Sequence, residues 1–155
     1  MNFNDTIAAI ASAAGGGCRG IVRLSGEDCL TCLMPAFHAD DGRDPLTVPR
    51  AMRLSGRFEL PRPLGLGPCE LYAWPDQRSY TRQPVAEVHT WGSAPILDAI
   101  LAAVCARGAR PARPGEFTMR AFLAGRLDLT QAEAVLGVID AQDRRDFQTA
   151  LEQLA

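Results

Sequence analysis

Cys29 and Cys32 form a C-x-x-C, the spacing of a redox pair or of half a zinc site. A redox pair works from a helix N-terminus, which lowers the thiol pKa. The two cysteines stand near a predicted helix start, so a small thiol enzyme is one reading. A zinc site needs a second pair or nearby histidines, and the sequence supplies neither. The other reading makes them small, partly buried residues of an ordinary helix. Gly15 to Gly20, GGGCRG, matches G-x-G-x-x-G letter by letter. A dinucleotide fingerprint requires a helix directly after its glycines. Here Ile21-Val22-Arg23-Leu24 follows, which reads as a strand, so the glycines read as a tight strand connection. His38 in a polar loop and His89 in a strand read as structural, and no metal site is expected. Ser25 lacks a G-x-S-x-G setting for a nucleophile.

Charged residues give two further signals. Arg107, Arg110, Arg113, Arg120 and Arg126 crowd a stretch in which Glu116 is the only acid. Such a cluster suits RNA phosphates or an anionic ligand, or else is a solvated surface. Arg23 and Glu87 each interrupt an apolar strand. A charge there faces solvent or a polar site, and the cost of burying an unpaired charge favours solvent.

The chain has 155 residues, 47% hydrophobic and 22% charged, with a net charge of −2. That is one ordinary domain, or one domain plus part of another. It excludes a charged disordered tail and gives no reason for strong nonspecific DNA binding. All 16 basic residues are arginine. Without lysine there is no Schiff-base lysine and no P-loop lysine. Five cysteines, no secretory signal and no run of 18 apolar residues point to free thiols in a reducing cytoplasm, with no membrane span.

These residues need elements to hold them. The pattern predicts strands at 6–12, 21–25, 52–60, 69–74 and 85–90, with 52–60 and 69–74 paired as a hairpin. Ser25 and Asp28 look like a helix start ahead of Cys29, Leu30, Leu33 and Met34. Residues 39–49 read as loop and 61–68 as a turn-rich connector. Ile96, Leu97, Ile100, Leu101 and Val104 mark a helix over 95–107, stopped by Gly108. From Phe117 the chain reads as successive helices. Thr130 and Glu133 form a T-x-x-E box before the stripe Ala132, Val135, Leu136 and Ile139, and Phe147, Ala150, Leu151 and Leu154 continue the spacing. The fold expected is α+β: a mixed β-sheet with packed helices over residues 1–115, then the start of a helical domain over 116–155, cut inside a helical region.

Residues 114–141, PGEFTMRAFLAGRLDLTQAEAVLGVIDA, resemble the signature of the tRNA-modification GTPase family MnmE/TrmE. Residues 5–11 (DTIAAIA), 20–26 (GIVRLSG), Tyr80-Thr81 and 85–89 (VAEVH) resemble its other conserved runs. The resemblance covers nearly the whole chain, more loosely over 28–78. It implies a domain similar to tetrahydrofolate-binding domains, which binds a reduced folate and forms a homodimer. It also implies a helical domain carrying an inserted GTPase domain, whose GTP, Mg and K lie outside this chain. With a flavoprotein partner, MnmG or GidA, the family modifies C5 of wobble uridine in tRNA. The one-carbon donor is methylene-tetrahydrofolate, with 5-formyl-tetrahydrofolate as its analogue.

The family's folate-contacting positions match Arg23, Glu87 and Arg126. A carboxylate accepts the pterin's adjacent N–H and amino groups, and guanidinium groups suit the tail carboxylates. Arg126 stands where the family commonly has lysine. Arg82-Gln83-Pro84 replace a family glycine and acids, Trp91 replaces a histidine, and Ala13-Ala14 replace a proline pair. The alternative reading is therefore a structural dimerisation module, or a shortened paralogue without folate binding or GTPase activity. On either reading the chain is not expected to be catalytic alone.

Overall fold

The structure, a computed structural model, describes residues 4–13, 15–141 and 143–154. They form two units: 1–79 with 83–112, and 80–82 with 113–155.

The first unit is built on a mixed seven-stranded sheet, among the described residues, in the order β3-β4-β5-β6-β2-β1-β7. The strands are β1 (Ile7–Ile10), β2 (Gly17–Ser25), β3 (Phe37–Ala39), β4 (Met52–Leu60), β5 (Gly65–Trp74), β6 (Val85–Gly92) and β7 (Arg110–Pro111). All neighbours run antiparallel except β7, which lies parallel to β1. Helices α1 (Cys29–Leu33) and α2 (Ala94–Cys105) belong to the same unit.

Alternation explains which face is the core. Side chains in a strand point to opposite faces every second residue. Val22 and Leu24 of β2, Leu54 and Phe58 of β4, Leu71 of β5 and Val88 of β6 share one buried cluster. Leu97, Ile100 and Val104 of α2 join it at helical spacing, with Cys29 and Leu33 of α1. The residues between them, Arg23, Glu87, Tyr72 and Arg53, therefore fall on the opposite face.

The expected mixed sheet with helices is the observed fold, with local differences. The glycine segment is not all turn: β2 already begins at Gly17. Gly15 and Gly16 make the turn, with φ of +104° and +80°. A Cβ on Gly92 would lie 2.6 Å from the carbonyl oxygen of Gly17, and one on Gly20 would lie 2.9 Å from the Cα of Gly92. These glycines let two strands approach, which is why no helix follows them. The 61–68 connector shortens to a turn because β5 starts at Gly65. The loop at 39–49 contains a 3₁₀ turn, Pro45–Thr47, and His38 lies exposed on β3.

The Ser25–Asp28 helix start does not form a capping box. Ser25 ends β2 and its hydroxyl donates to Gln83 Oε1 at 3.3 Å, while Asp28 makes no side-chain cap bond. The Asp28 amide donates instead to Thr6 Oγ1.

The second unit carries α3 (Glu116–Leu123), α4 (Leu129–Asp140) and α5 (Arg144–Leu154). The capping box of α4 is Asp128 with Gln131, not Thr130 with Glu133. Asp128 accepts from the Gln131 amide at 2.8 Å, and Gln131 Oε1 accepts from the Asp128 amide at 3.1 Å. The box sits two residues earlier because Asp128 keeps the extended backbone that a cap requires, whereas Thr130 is already helical. The polar stretch 140–146 holds the break between α4 and α5. Ala14 and the side chains of Ile139, Phe147 and Leu154 lie outside the described residues.

Candidate functional site

Register places residues distant in sequence side by side. Arg23 of β2 is the cross-strand partner of Glu87 of β6. Glu87 in turn faces Tyr72 of β5, which faces Arg53 of β4. The neighbouring row is Ile21, His89, Glu70 and Ser55. Both rows lie on the face opposite the α2 core.

Glu87 is the hub. Arg23 Nε donates to its Oε1 at 2.7 Å. His89 Nε2 lies 2.8 Å from its Oε2. An ionised carboxylate only accepts, so Nε2 carries the proton of that bond. His89 Nδ1 is buried and finds no partner among the described residues. The Tyr72 ring lies against the imidazole, with centroids 4.5 Å apart. Burial pushes the Glu87 carboxyl up. Hydrogen bonds from His89 and Arg23, and the charge of Arg23, more than reverse that, so it ionises below the usual carboxylate range.

Two sequence expectations change here. Arg23 and Glu87 do not simply face solvent: Glu87 keeps only 14% of its side chain exposed and has a charged partner. His89 is no isolated structural histidine, since Glu87 two residues back engages it. The signal was available. Residues i and i+2 share a face in a strand, so Glu87 and His89 had to be neighbours once 85–90 was read as a strand. Only the cross-strand partner required the register.

Beside the hub, Glu70 gathers Arg19, Arg53 at 3.3 Å and the Tyr72 hydroxyl at 3.3 Å. Arg19 comes from β2 and Glu70 from β5, so this ion pair reaches across β6.

Arg126 lies in the second unit, exposed, in the turn between α3 and α4. The structure thus brings Arg23 and Glu87 together, and Arg126 belongs to a separately described unit. The arginine-rich stretch is divided as well. Arg110 pairs with Asp5 at 2.6 Å in the first unit. Arg120 is buried in the second, 3.2 Å from Glu116. These two already have carboxylate partners inside their own units. The Glu116–Arg120 pair was missed because both residues read as part of a surface run.

The C-x-x-C does not have the environment of a redox pair. Cys29 and Cys32 are both buried. Burial pushes the Cys29 thiol up to about 12, and burial raises Cys32 too. Helix α1, five residues long, does not reverse this.

A family described as GTP-binding protein TrmE N-terminus matches residues 6–126, and this chain belongs to it. Among curated relatives, the tRNA modification GTPase MnmE of Rhodopirellula baltica is 56% identical over 156 residues, covering 98% of this chain and 32% of that protein. The protein of the same name from Streptococcus suis is 40% identical over 151 residues, covering 97% and 32%. That from Thermus thermophilus is 38% identical over 160 residues, covering 99% and 35%. The chain spans about a third of the length of these relatives. No helix among the described residues is long and apolar enough to cross a membrane.

Proposed function

We propose that this chain is the folate-binding and dimerising part of an MnmE/TrmE-like tRNA-modification GTPase. The observation that carries the reading is the fixed, ionised Glu87 carboxylate beside Arg23 on the polar face of the sheet. A carboxylate has about four lone-pair positions. Arg23 and His89 occupy one on each oxygen, which leaves acceptor capacity for the adjacent N–H and amino groups of a pterin edge. The planar guanidinium of Arg23 suits a carbonyl or carboxylate of the same ligand. Arg126 is proposed as a third contact on the family pattern alone. The ligand is 5-formyl- or methylene-tetrahydrofolate, a one-carbon donor for C5 of wobble uridine. The active assembly is a homodimer working in the cytoplasm with an MnmG/GidA-like flavoprotein and tRNA. GTP, Mg and K belong to the GTPase domain of the family and not to these residues.

One observation favours a second reading, a structural module without a folate site: both Glu87 oxygens already have partners. Calorimetric titration with 5-formyl-tetrahydrofolate separates the two. Saturable binding that Glu87→Ala abolishes supports the first. No binding by a folded dimer, sized by light scattering, supports the second. A strict monomer at high concentration counts against the dimer in both.

A further inference from the structure

The last paired residues of β5 and β6 toward this end are Glu70 and His89. Beyond them β5 runs back to Gly65 and β6 on to Gly92 without backbone pairing to each other, and the Thr90 hydroxyl donates to the Pro68 carbonyl at 2.9 Å. The strands part and leave a groove of about 480 Å³. One wall carries Pro68, Cys69 and Glu70, the other His89, Thr90 and Trp91, with Arg19 also lining it.

Three features give the groove a chemistry. Trp91 is 54% exposed, an unusual placement for an indole. Glu87, His89 and Trp91 share one face of β6 at two-residue spacing, so a single line leads from the carboxylate hub to the indole. Four strand residues span about 13 Å, the length scale of a molecule with two ring systems in series. Arg19, which lines the groove, places one nitrogen on Glu70. A guanidinium has five N–H donors, so Arg19 keeps donors for a further carboxylate.

We propose that this groove holds the aryl-glutamate arm of the folate, with Trp91 stacked on its benzoyl ring and Arg19 holding a tail carboxylate. This rests on the folate reading above and adds where the far end of the ligand lies. The pterin sits at Glu87, His89 marks the passage between the two sites, and the arm runs along β6 into the split. Trp91 is then a specificity residue for ligands that carry an aromatic arm.

The test uses the whole chain and two probes: 5-formyl-tetrahydrofolate and a 5-formyl-tetrahydropterin without the arm. Trp91→Ala is expected to weaken the intact folate about tenfold, the order expected for losing an aromatic stack and its buried area. The armless pterin should bind Trp91→Ala as it binds the parent. Trp91→Phe keeps a ring and should retain most of the affinity, which separates stacking from damage to the sheet. Arg19→Ala should likewise discriminate against the intact folate only. The chain has two tryptophans, Trp74 and Trp91. In a Trp74→Phe background the intact folate should therefore quench the remaining fluorescence and the armless pterin should not. Equal binding of both probes by the parent, or Trp91→Ala without effect on the intact folate, overturns the arm site and leaves the Glu87 site standing. Failure of the parent to bind either probe overturns the folate reading and the arm site together.

Discussion

Glu87 shows how a charge becomes tolerable inside a sheet. Its neighbours hold it ionised below the usual carboxylate range, so the unfolded chain binds its proton more readily than the folded one. A depressed carboxyl contributes stability that is complete above the unfolded value and is lost as pH falls through the folded one. Thermal melts from pH 7 downward should therefore lose stability below the usual carboxylate range, and Glu87→Gln should lose less over that window. Thiols give a second residue-scale expectation. Cys18 is exposed, while burial lifts Cys29 and Cys69 to about 12. A thiol reagent near pH 8 should label Cys18 in the folded chain and reach Cys29 and Cys69 only after denaturant. The folate role proposed for Glu87, Arg23 and Arg126 rests on family resemblance, whereas the Glu87–His89 bond was already implied by strand alternation. Arg23 opposite Glu87 depends on a pairing 64 positions apart, which no local pattern encodes.

At the scale of elements, the strongest sequence signals were periodicities and the weakest were ends. Strand 52–60 and the helix built on Leu97, Ile100 and Val104 were legible because burial repeats along them. The cap of α4 was misplaced by two residues because both Asp128/Gln131 and Thr130/Glu133 fit the box, and backbone conformation chooses between them. Asp128→Ala should cost about 1 kcal/mol of stability by thermal melt, and Thr130→Ala, at an exposed helical position, should cost almost nothing. Arg82 adopts φ +54°, a left-handed conformation, where the family pattern has glycine. Arg82→Gly should therefore raise the melting temperature or leave it unchanged, against the usual penalty for introducing glycine. Within the second unit, the ion pair of Glu116 with Arg120 is almost wholly buried, at 0% and 2% side-chain exposure. Glu116→Ala leaves Arg120 without this carboxylate and should cost on the order of 3–5 kcal/mol, read by denaturant titration.

The whole molecule adds constraints that no element shows alone. Sheet order places β1 between β2 and β7, so the strand nearest the N-terminus is internal. Its outer neighbour is only Arg110–Pro111, joined by the Ala112 amide on the Ala8 carbonyl and by Arg110 on Asp5. The sequence hid β7 because two residues carry no periodicity. Arg110 and Asp5 are both about a third exposed. Arg110→Ala should therefore cost within about 1 kcal/mol globally while speeding hydrogen exchange along β1. Pro111 supplies no N–H, which blunts the outer edge against further pairing. On the ribosome this arrangement becomes a matter of timing. Asp5 and Arg110 are 105 positions apart, which at about 5–20 residues per second means about 5–20 seconds of synthesis. For that interval the nascent chain carries β1 with one flank open to any passing strand, and the arrival of two residues closes it.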